Sequence, residues 1–317
     1  MEPRLRIAFF GTPAFAVPTL TRLIDSRHDV AAVITQPDRP RGRGQKIRDA
    51  PVKALAVERG ITVLQPERLA RDQFEETFRT LNVDLGVVAA YGKILPEWLL
   101  KTPPLGMINV HASLLPKYRG ASPVHRAVLA GDSETGVTIM RVVKALDAGP
   151  MIARVTRPIG PYESSDVVER DLASLGADLL VSVVDDLPSG HVVETPQNDA
   201  EATYAPRLSK GEGLIDWNRP AQDLHNHVRG MRPWPTAYTF LNERRIVVHQ
   251  ARPSESGAAV SGLPGTVIAA GRVITVACGD GKALDLLQLQ PEGRRVIPAR
   301  EFVAGHGRLT GQMFGKH

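Results

Sequence analysis

Two polar side chains that can act together in catalysis stand two residues apart at the end of an apolar run. Asn109 and His111 follow Met107 and Ile108, a pattern that predicts a buried strand ending in a loop. Residues two apart on a strand project to the same face, so the amide and the imidazole should lie side by side. An amide donor stabilises a developing oxyanion and an imidazole moves a proton near neutral pH. The pair therefore indicates acyl-group transfer.

An acidic residue further along the chain completes this set. Asp147 lies in the Leu-Asp-Ala-Gly segment 146–149, after a second predicted strand. A carboxylate there can hold an imidazole and help to receive a proton or order a water. A lone Asn or His near a strand end is more often a turn former or a satisfied polar residue. The shared face, the rigid Leu-Leu-Pro at 114–116 and the aspartate together favour the catalytic interpretation.

The composition is that of an ordinary globular protein of two domains or one large one. The chain has 317 residues, 43% of them hydrophobic and 23% charged. Cys278 is the single cysteine, so an internal disulfide is impossible and a reducing compartment is expected. The apolar run at 7–10 is too short for a signal peptide, and no run approaches a membrane span. We therefore expect a cytoplasmic protein without a membrane partner, and a monomer, since no heptad or apolar stripe indicates a dimer.

Positive charge is concentrated in two regions. From residue 207 onward the chain carries 15 Lys and Arg against 9 Asp and Glu, whereas the first 206 residues carry 24 and 25. Within that near-neutral part, residues 37–53 hold six Lys and Arg against two Asp. A charge run is usually a solvated face. Two such regions in one soluble chain nevertheless suit a polyanion, because neutralising phosphates supplies affinity that does not depend on sequence.

The first two-thirds of the chain predict an α/β fold. Short apolar runs alternate with helical patterns, which is typical of a Rossmann-like, doubly wound, mostly parallel sheet covered by helices on both faces. The predicted strands are 6–10, 30–35, 62–64, 83–90, 107–111, 137–142 and 152–156, and the predicted helices are 14–26, 50–59, 71–81, 123–130 and a long one from about 165. No strand is followed by G-x-G-x-x-G, so an NAD site has little support.

The pattern changes after residue 190. Residues 191–206 are rich in Pro, Gln, Asn and Asp and predict a linker. Beyond residue 207, one short helix at 221–229 is followed by β-branched or alternating runs separated by glycines. These predict a smaller β-barrel of the oligonucleotide-binding (OB-like) type. The expected organisation is a catalytic domain at 1–190, the linker, and a basic β-barrel domain at 207–317.

Several segments together resemble a known family. INVHASLLPKYRGASP at 108–123, ETGVTIM at 134–140 and LDAGPMI at 146–152 resemble the 10-formyltetrahydrofolate-dependent formyltransferases. Three further segments resemble the branch of that family that acts on methionyl-tRNA: FFGTPAFAVPTL at 9–20, TQPDRPRGRGQK at 35–46, and a long C-terminal extension containing Arg-Pro-Trp-Pro at 232–235. The resemblance covers essentially the whole chain.

The resemblance implies a reaction and a set of site residues. The donor would be 10-formyltetrahydrofolate and the acceptor the methionine of initiator methionyl-tRNA, for translation initiation, with neither a metal nor NAD. The catalytic residues would be Asn109, His111 and Asp147. The folate-binding segment would be Ser113, Leu114, Leu115 and Pro116, which can present peptide groups to a flat heterocycle.

The resemblance also implies which basic residues meet the tRNA. The basic insertion is similar to a family loop that engages the acceptor end, and Arg43 between two glycines is the leading candidate, supported by Arg39, Arg41 and Lys46. An arginine fork both hydrogen-bonds and stacks, which suits phosphates and unpaired bases. Candidates in the second domain are Arg207, Lys210, Arg232, Arg244 and Arg245. For Trp234, between two prolines, we expect a packing contact rather than base stacking.

Three alternatives stay open at this point. The chemistry at Asn109, His111 and Asp147 could serve a small acceptor, such as glycinamide ribonucleotide or a nucleotide-linked amino sugar, although a small acceptor needs neither basic region. A non-catalytic RNA-binding protein on a Rossmann-like scaffold would not need the intact catalytic set. An NAD-linked oxidoreductase lacks its glycine fingerprint.

Overall fold

The computed structural model of the chain describes residues 3–38, 40–41, 46–47, 49–255 and 260–315, without the side chains of residues 40, 41, 46 and 47. The chain divides into two compact units. The first unit comprises Met1–Pro123, Glu134–Arg157 and Glu169–Ala205, and the second comprises Val124–Ser133, Pro158–Val168 and Pro206–His317.

Strands and helices alternate up to residue 205, as the sequence predicts. The strands are β1 Arg6–Gly11, β2 Asp29–Ile34, β3 Pro40–Arg41, β4 Lys46–Ile47, β5 Val63–Leu64, β6 Leu85–Ala89, β7 Met107–His111, β8 Arg119–Gly120, β9 Glu134–Arg141, β10 Met151–Pro158 and β11 Tyr204–Ala205. The helices are α1 Ala16–Ile24, α2 Pro51–Glu58, α3 Arg71–Thr80, α4 Glu97–Leu100, α5 Pro123–Ala130 and α6 Ser165–Asp186.

The main sheet of the first unit has seven strands in the order β10-β9-β7-β6-β1-β2-β5. The pairs from β5 across to β7 are parallel, and β7 and β9 are antiparallel. Every residue of β6 is buried, and so is every residue of β1 after Arg6. Such continuous apolar strands are typical of the middle of a parallel sheet that is covered on both faces. The predicted Rossmann-like fold is confirmed.

A glycine lets α6 pack tightly behind β7. A Cβ atom added at Gly176 would lie 2.9 Å from a methyl of Val110 on β7 and 3.1 Å from a methyl of Val137 on β9. Both distances are too short for ordinary carbon contacts, so a larger residue would push the helix off the sheet. The strand that ends in His111 is therefore held from behind by close packing.

The second unit contains an antiparallel sheet with helices. Its further elements are α7 Ala221–Gly230, β12 Ala237–Leu241, β13 Arg244–Pro253, β14 Val267–Ala270, β15 Ile274–Ala277, β16 Ala283–Pro291, β17 Ile297–Pro298 and α8 Ala299–His306. The strand order is β12-β13-β16-β15-β14, with β17 also pairing with β16. Its core includes Ile246, Val248, Leu284, Leu286 and Phe302, all buried. The sequence predicted β12 to β16 and missed β17 and α8.

The last described residues join the two outer strands of this sheet. Gly315 forms a bridge with Phe240 on β12, and Met313 forms a bridge with Thr266 next to β14. Between them, the ring of Phe314 is buried and stacks on Trp217, with ring centroids 6.0 Å apart. The predicted barrel therefore takes the form of an antiparallel sheet whose ends are linked by a terminal segment and isolated bridges.

Within the described part of the chain, no helix combines the length and the apolar character needed to cross a bilayer.

Candidate active site

Strand β7 carries the first two candidate catalytic residues to the edge of the parallel region. Asn109 pairs with Met140 and His111 with Thr138 on β9, so the end of β7 is fixed in register by its neighbour. Asn109 is half-buried and His111 is buried. The strand places both on one face, as predicted. The amide of Asn109 makes no hydrogen bond to any residue that the structure describes, so it is available to a ligand.

The two ring nitrogens of His111 have different partners. Nε2 lies 3.0 Å from the carbonyl oxygen of Tyr118. Because a carbonyl can only accept, Nε2 must carry the hydrogen of this bond. In the neutral ring Nδ1 is therefore the unprotonated nitrogen, and it lies 3.7 Å from Oδ2 of Asp147. The geometry makes Nδ1 the position where a proton can be taken up, facing a carboxylate.

Asp147 is held in an uncommon backbone conformation. Its φ angle is 47°, in the left-handed region that non-glycine residues seldom adopt. Its Oδ2 atom accepts a hydrogen bond of 2.8 Å from the backbone N–H of Gly120. A Cβ atom at Gly149 would lie 1.9 Å from the carbonyl oxygen of Arg141, so only glycine fits there. Sequence analysis predicted the meeting of His111 and Asp147, and the structure brings them together.

The segment predicted to bind folate is fixed mainly through its backbone. Ser113 is buried and its hydroxyl donates to the carbonyl of Lys117 at 2.6 Å. The Thr138 hydroxyl donates to the Ser113 carbonyl at 2.7 Å and accepts from the Leu115 N–H at 3.1 Å. Leu115 is buried, whereas Leu114 and Pro116 are half-buried. The side chains of Ser113 and Leu115 therefore shape the segment from inside.

The segment 191–206, predicted as a linker, contributes residues that the sequence analysis did not single out. The Gln197 side-chain amide donates to the carbonyls of Asp147 and Gly149, at 2.8 Å each. The Thr203 hydroxyl accepts from the Tyr118 N–H at 2.8 Å, and β11 pairs in parallel with β8. No short-range pattern could indicate these contacts, because the partners are 48 to 85 residues apart.

The basic insertion is described only at its base. Arg39 and Arg43 lie outside the described residues, as do the side chains of Arg41 and Lys46. The backbones of β3 and β4 pair antiparallel.

A single ammonium group contacts both ends of this insertion. Lys53 on α2 forms ion pairs with Asp38 and Asp49, which flank residues 39–48 of the insertion, the latter at 2.8 Å. The hydrogen bond from Lys53 holds the pKa of Asp38 below its usual value, and the contact with Asp38, followed by that with Asp49, raises the pKa of Lys53. Both acidic residues of the segment 37–53 thus pair with Lys53, whose single positive charge offsets one of their two negative charges.

The basic candidates of the second unit differ in their surroundings. Arg207, Lys210 and Arg244 are exposed. The Arg245 guanidinium lies 4.2 Å from the centre of the Tyr238 ring, and Arg232 forms an ion pair of 3.5 Å with Asp166.

The expectation for Trp234 was wrong. Its side chain is 48% exposed and does not belong to the core of the second unit. Residues 231–235 form a turn, and about half of the indole surface is exposed there.

The histidines of α7 serve the interior of the second unit. His225 lies between the carbonyls of Ala251 and Pro161, at 2.9 and 2.7 Å, and His227 contacts the carbonyl of Gly213 at 3.3 Å. Burial lowers the pKa of His227. Among the residues that the structure describes, no cluster of His, Cys, Asp and Glu could hold a metal ion.

Comparison with known proteins covers both units. Residues 5–184 match the family model described as formyl transferase, and residues 207–307 match the one described as formyl transferase, C-terminal domain. The chain is 47% identical over 312 residues to the methionyl-tRNA formyltransferase of Geotalea daltonii, covering 98% of both chains.

Solved structures with the same fold are more distant in sequence. An N-formyltransferase from Helicobacter canadensis, solved with folinic acid and dTDP-3-aminofucose, superposes with a TM-score of 0.66 at 17% identity, covering 90% of this chain and 99% of that one. HypX from Aquifex aeolicus, in complex with tetrahydrofolic acid, gives a TM-score of 0.62 at 17% identity, covering 95% and 47%. At such identities the likeness concerns the fold.

Proposed function

The chain belongs to the formyl transferase family, and from this membership we propose that it transfers the formyl group of 10-formyltetrahydrofolate to the α-amine of methionine on initiator methionyl-tRNA. The observation that carries the proposal is the 47% identity, over 98% of both chains, to a relative named for that reaction. The match includes the second unit and the basic insertion, which a small acceptor would not need.

Asn109 stabilises the oxyanion of the tetrahedral intermediate. Attack of the methionine amine on the formyl carbon gives a tetrahedral carbon bearing a negative oxygen, and the bond to the folate nitrogen then breaks. The free amide of Asn109, on a strand fixed in register, donates to that oxygen. One preorganised donor of this kind contributes about 3 kcal/mol of transition-state stabilisation.

His111 and Asp147 carry out the proton transfer from the attacking amine to the folate nitrogen. The attacking amine loses one proton and the departing folate nitrogen gains one, so no net proton is released. Nδ1 of His111 is the atom that exchanges it, since Nε2 is occupied by the Tyr118 carbonyl. The Asp147 carboxylate, 3.7 Å away, stabilises the ring while it is protonated.

The remaining assignments follow from the same proposal. Residues 113–116 bind the folate through their peptide groups, and the insertion at 35–49, led by Arg43, holds the acceptor end of the tRNA. Residues 1–190 carry the chemistry, 207–317 bind the tRNA through their exposed basic side chains, and 191–206 connect the two. Because initiator tRNA is charged and used in the cytoplasm, the enzyme acts there, as a monomer.

The test is transfer of radiolabelled formyl from 10-formyltetrahydrofolate to methionyl-charged initiator tRNA. Uncharged tRNA and glycinamide ribonucleotide are the control acceptors. Label stable on methionyl-tRNA alone is the expected result. Label on the small acceptor, or release of formate alone, would contradict the acceptor assignment and leave only the chemistry at Asn109, His111 and Asp147.

A further inference from the structure

We propose that Gln197 is a positioning residue for the reaction, holding the loop of Asp147 in the conformation that aims its carboxylate at His111. The proposal rests on the proposed function for its kinetic consequence and on hydrogen bonds within the first unit for its geometry. Gln197 does not reach the reacting atoms. It acts through the backbone carbonyls of Asp147 and Gly149.

The surroundings of Gln197 fix the orientation of its amide. Nε2 lies 2.8 Å from each of the two loop carbonyls, so both of its hydrogens are used. Oε1 lies 3.0 Å and 2.8 Å from Nε and Nη2 of Arg119, which can only donate. A flipped amide would set acceptor against acceptor on one side and donor against donor on the other. Both polar atoms of the Gln197 side chain, Nε2 and Oε1, are thus paired in a single orientation of the amide.

The loop that Gln197 holds has little other support. Its residues 143–146 are exposed, and Leu146 projects an apolar side chain into solvent. Asp147 itself is in the left-handed region, which costs a non-glycine residue about 1 kcal/mol or more. The loop therefore needs hydrogen bonds to the backbone at and after Asp147, as well as to its carboxylate, to stay in place. Gln197 supplies them at the carbonyls of residues 147 and 149, while the Gly120 N–H contacts the carboxylate.

Gln197 is anchored in turn by a buried cation. Arg119 is only 4% exposed, and its guanidinium also pairs with Asp199 at 2.7 Å. Arg119 directly precedes Gly120, whose N–H binds the Asp147 carboxylate. Arg119 thus fixes two groups that donate to the Asp147 loop. One is the Gly120 N–H, which binds the carboxylate, and the other is the Gln197 amide, which binds the backbone carbonyls. The segment that leads the chain toward the second unit is also the support of the catalytic aspartate.

Two substitutions and a matched control test the proposal. Gln197→Ala removes the amide. Gln197→Glu keeps the size and the pairing with Arg119 but replaces the donor to the two carbonyls by an acceptor. Asn198→Ala is the control, because the adjacent Asn198 only caps a local turn, accepting from Ala200 N–H and donating to Glu201. We expect kcat to fall about 10- to 100-fold in both Gln197 variants, as a small misplacement of a catalytic group does. KM for folate and for tRNA should stay within about threefold.

A second readout needs no substrate. The backbone amide resonance of Gly120 reports its hydrogen bond to Asp147, so it should move in Gln197→Glu toward its position in Asp147→Asn and stay unchanged in Asn198→Ala. Unchanged kcat, or lost kcat with an unmoved Gly120 resonance, would overturn the proposal. If Gln197→Ala does not fold, the Gly120 resonance of Gln197→Glu decides. If the wild-type protein formylates no methionyl-tRNA, the proposed function fails, and the same resonance still decides whether Gln197 positions Asp147.

Discussion

The site at the end of β7 and the basic surface of the second unit are built in opposite ways. At the first, His111, Asp147 and Gln197 are fixed by hydrogen bonds between different segments of the chain, with partners 7, 27 and 50 residues apart. At the second, Arg207, Lys210 and Arg244 are exposed. Bond-making requires atoms placed to within a fraction of an ångström, whereas attraction of a phosphate backbone requires charge over an area. Loss of one residue should therefore be severe and specific at the first region, and mild and salt-dependent at the second.

The largest expected effect is that of Asp147→Asn. The amide keeps the size of the side chain but cannot stabilise a protonated His111, so we expect kcat to fall by about 100-fold or more. Folate affinity should be nearly unchanged, because the segment 113–116 is untouched. Steady-state kinetics and folate titration measure the two quantities. Equal loss of turnover and of affinity would mean that Asp147 is a binding residue.

The next effect is expected for Arg43→Ala in the basic insertion. Loss of one charged hydrogen-bonding group should raise KM for methionyl-tRNA about tenfold and leave folate binding intact. The measurement is initial-rate kinetics with varied tRNA at physiological salt. Unchanged tRNA kinetics would mean that another arginine of the insertion makes the contact, and that Arg43 contributes only general positive charge.

Lys53→Ala tests whether holding the two ends of that insertion together matters for tRNA binding. Without the ammonium, Asp38 and Asp49 repel each other and the ends of the insertion separate. We expect KM for tRNA to rise about fivefold, equivalent to about 1 kcal/mol, and trypsin to cleave within residues 39–48 faster. Lys53→Arg should restore both. Lys101→Ala, which breaks an exposed pair with Glu97, is the control and should change neither.

A smaller effect is expected for Arg244→Ala on the second unit. Removing one exposed charge should weaken tRNA binding about twofold and reduce the slope of log affinity against log salt by about 1. Filter binding over a range of salt concentrations measures the slope. Arg244→Lys keeps the charge and should keep the slope. A loss as large as that of Asp147→Asn would break the contrast between the two regions.

The smallest effect concerns acid stability of the second unit. Burial lowers the pKa of His227, so the unfolded chain takes up a proton near pH 6.5 that the folded chain does not. The contribution of neutral His227 to the free energy of unfolding is complete above that pH. It falls as the pH drops toward the pKa of His227 in the folded protein. Urea unfolding at pH 7.5 and 5.5 should show this loss, and His227→Gln should reduce it. The exposed His191→Gln should leave it unchanged; equal behaviour of both variants would contradict the assignment.

The sequence predicted the parts of the molecule whose signal is local. The strands of the main sheet follow from continuous apolar runs, and the pairing of Asn109 with His111 follows from a spacing of two on a strand. The conjunction of His111 and Asp147 was expected from the chemistry of the two residues and from the family resemblance. The left-handed Asp147 and the pairing of β8 with β11 could not be predicted, because they depend on contacts between distant segments. Gln197 lies in a stretch whose composition indicates a linker, so its part in the site had no local signal.

The bridges at residues 313 and 315 have a consequence for how the protein is made. They link the outer strands β12 and β14, so both edges lack this pairing until residues 313 and 315 have been added, although β12 is also bridged to Leu214. Unpaired strand edges are templates for association with other chains. During synthesis, this sheet is still open when the last residue of the first unit, Ala205, has been added. A chain that ended before residue 312 would lack these bridges, and we expect it to associate with other chains more readily.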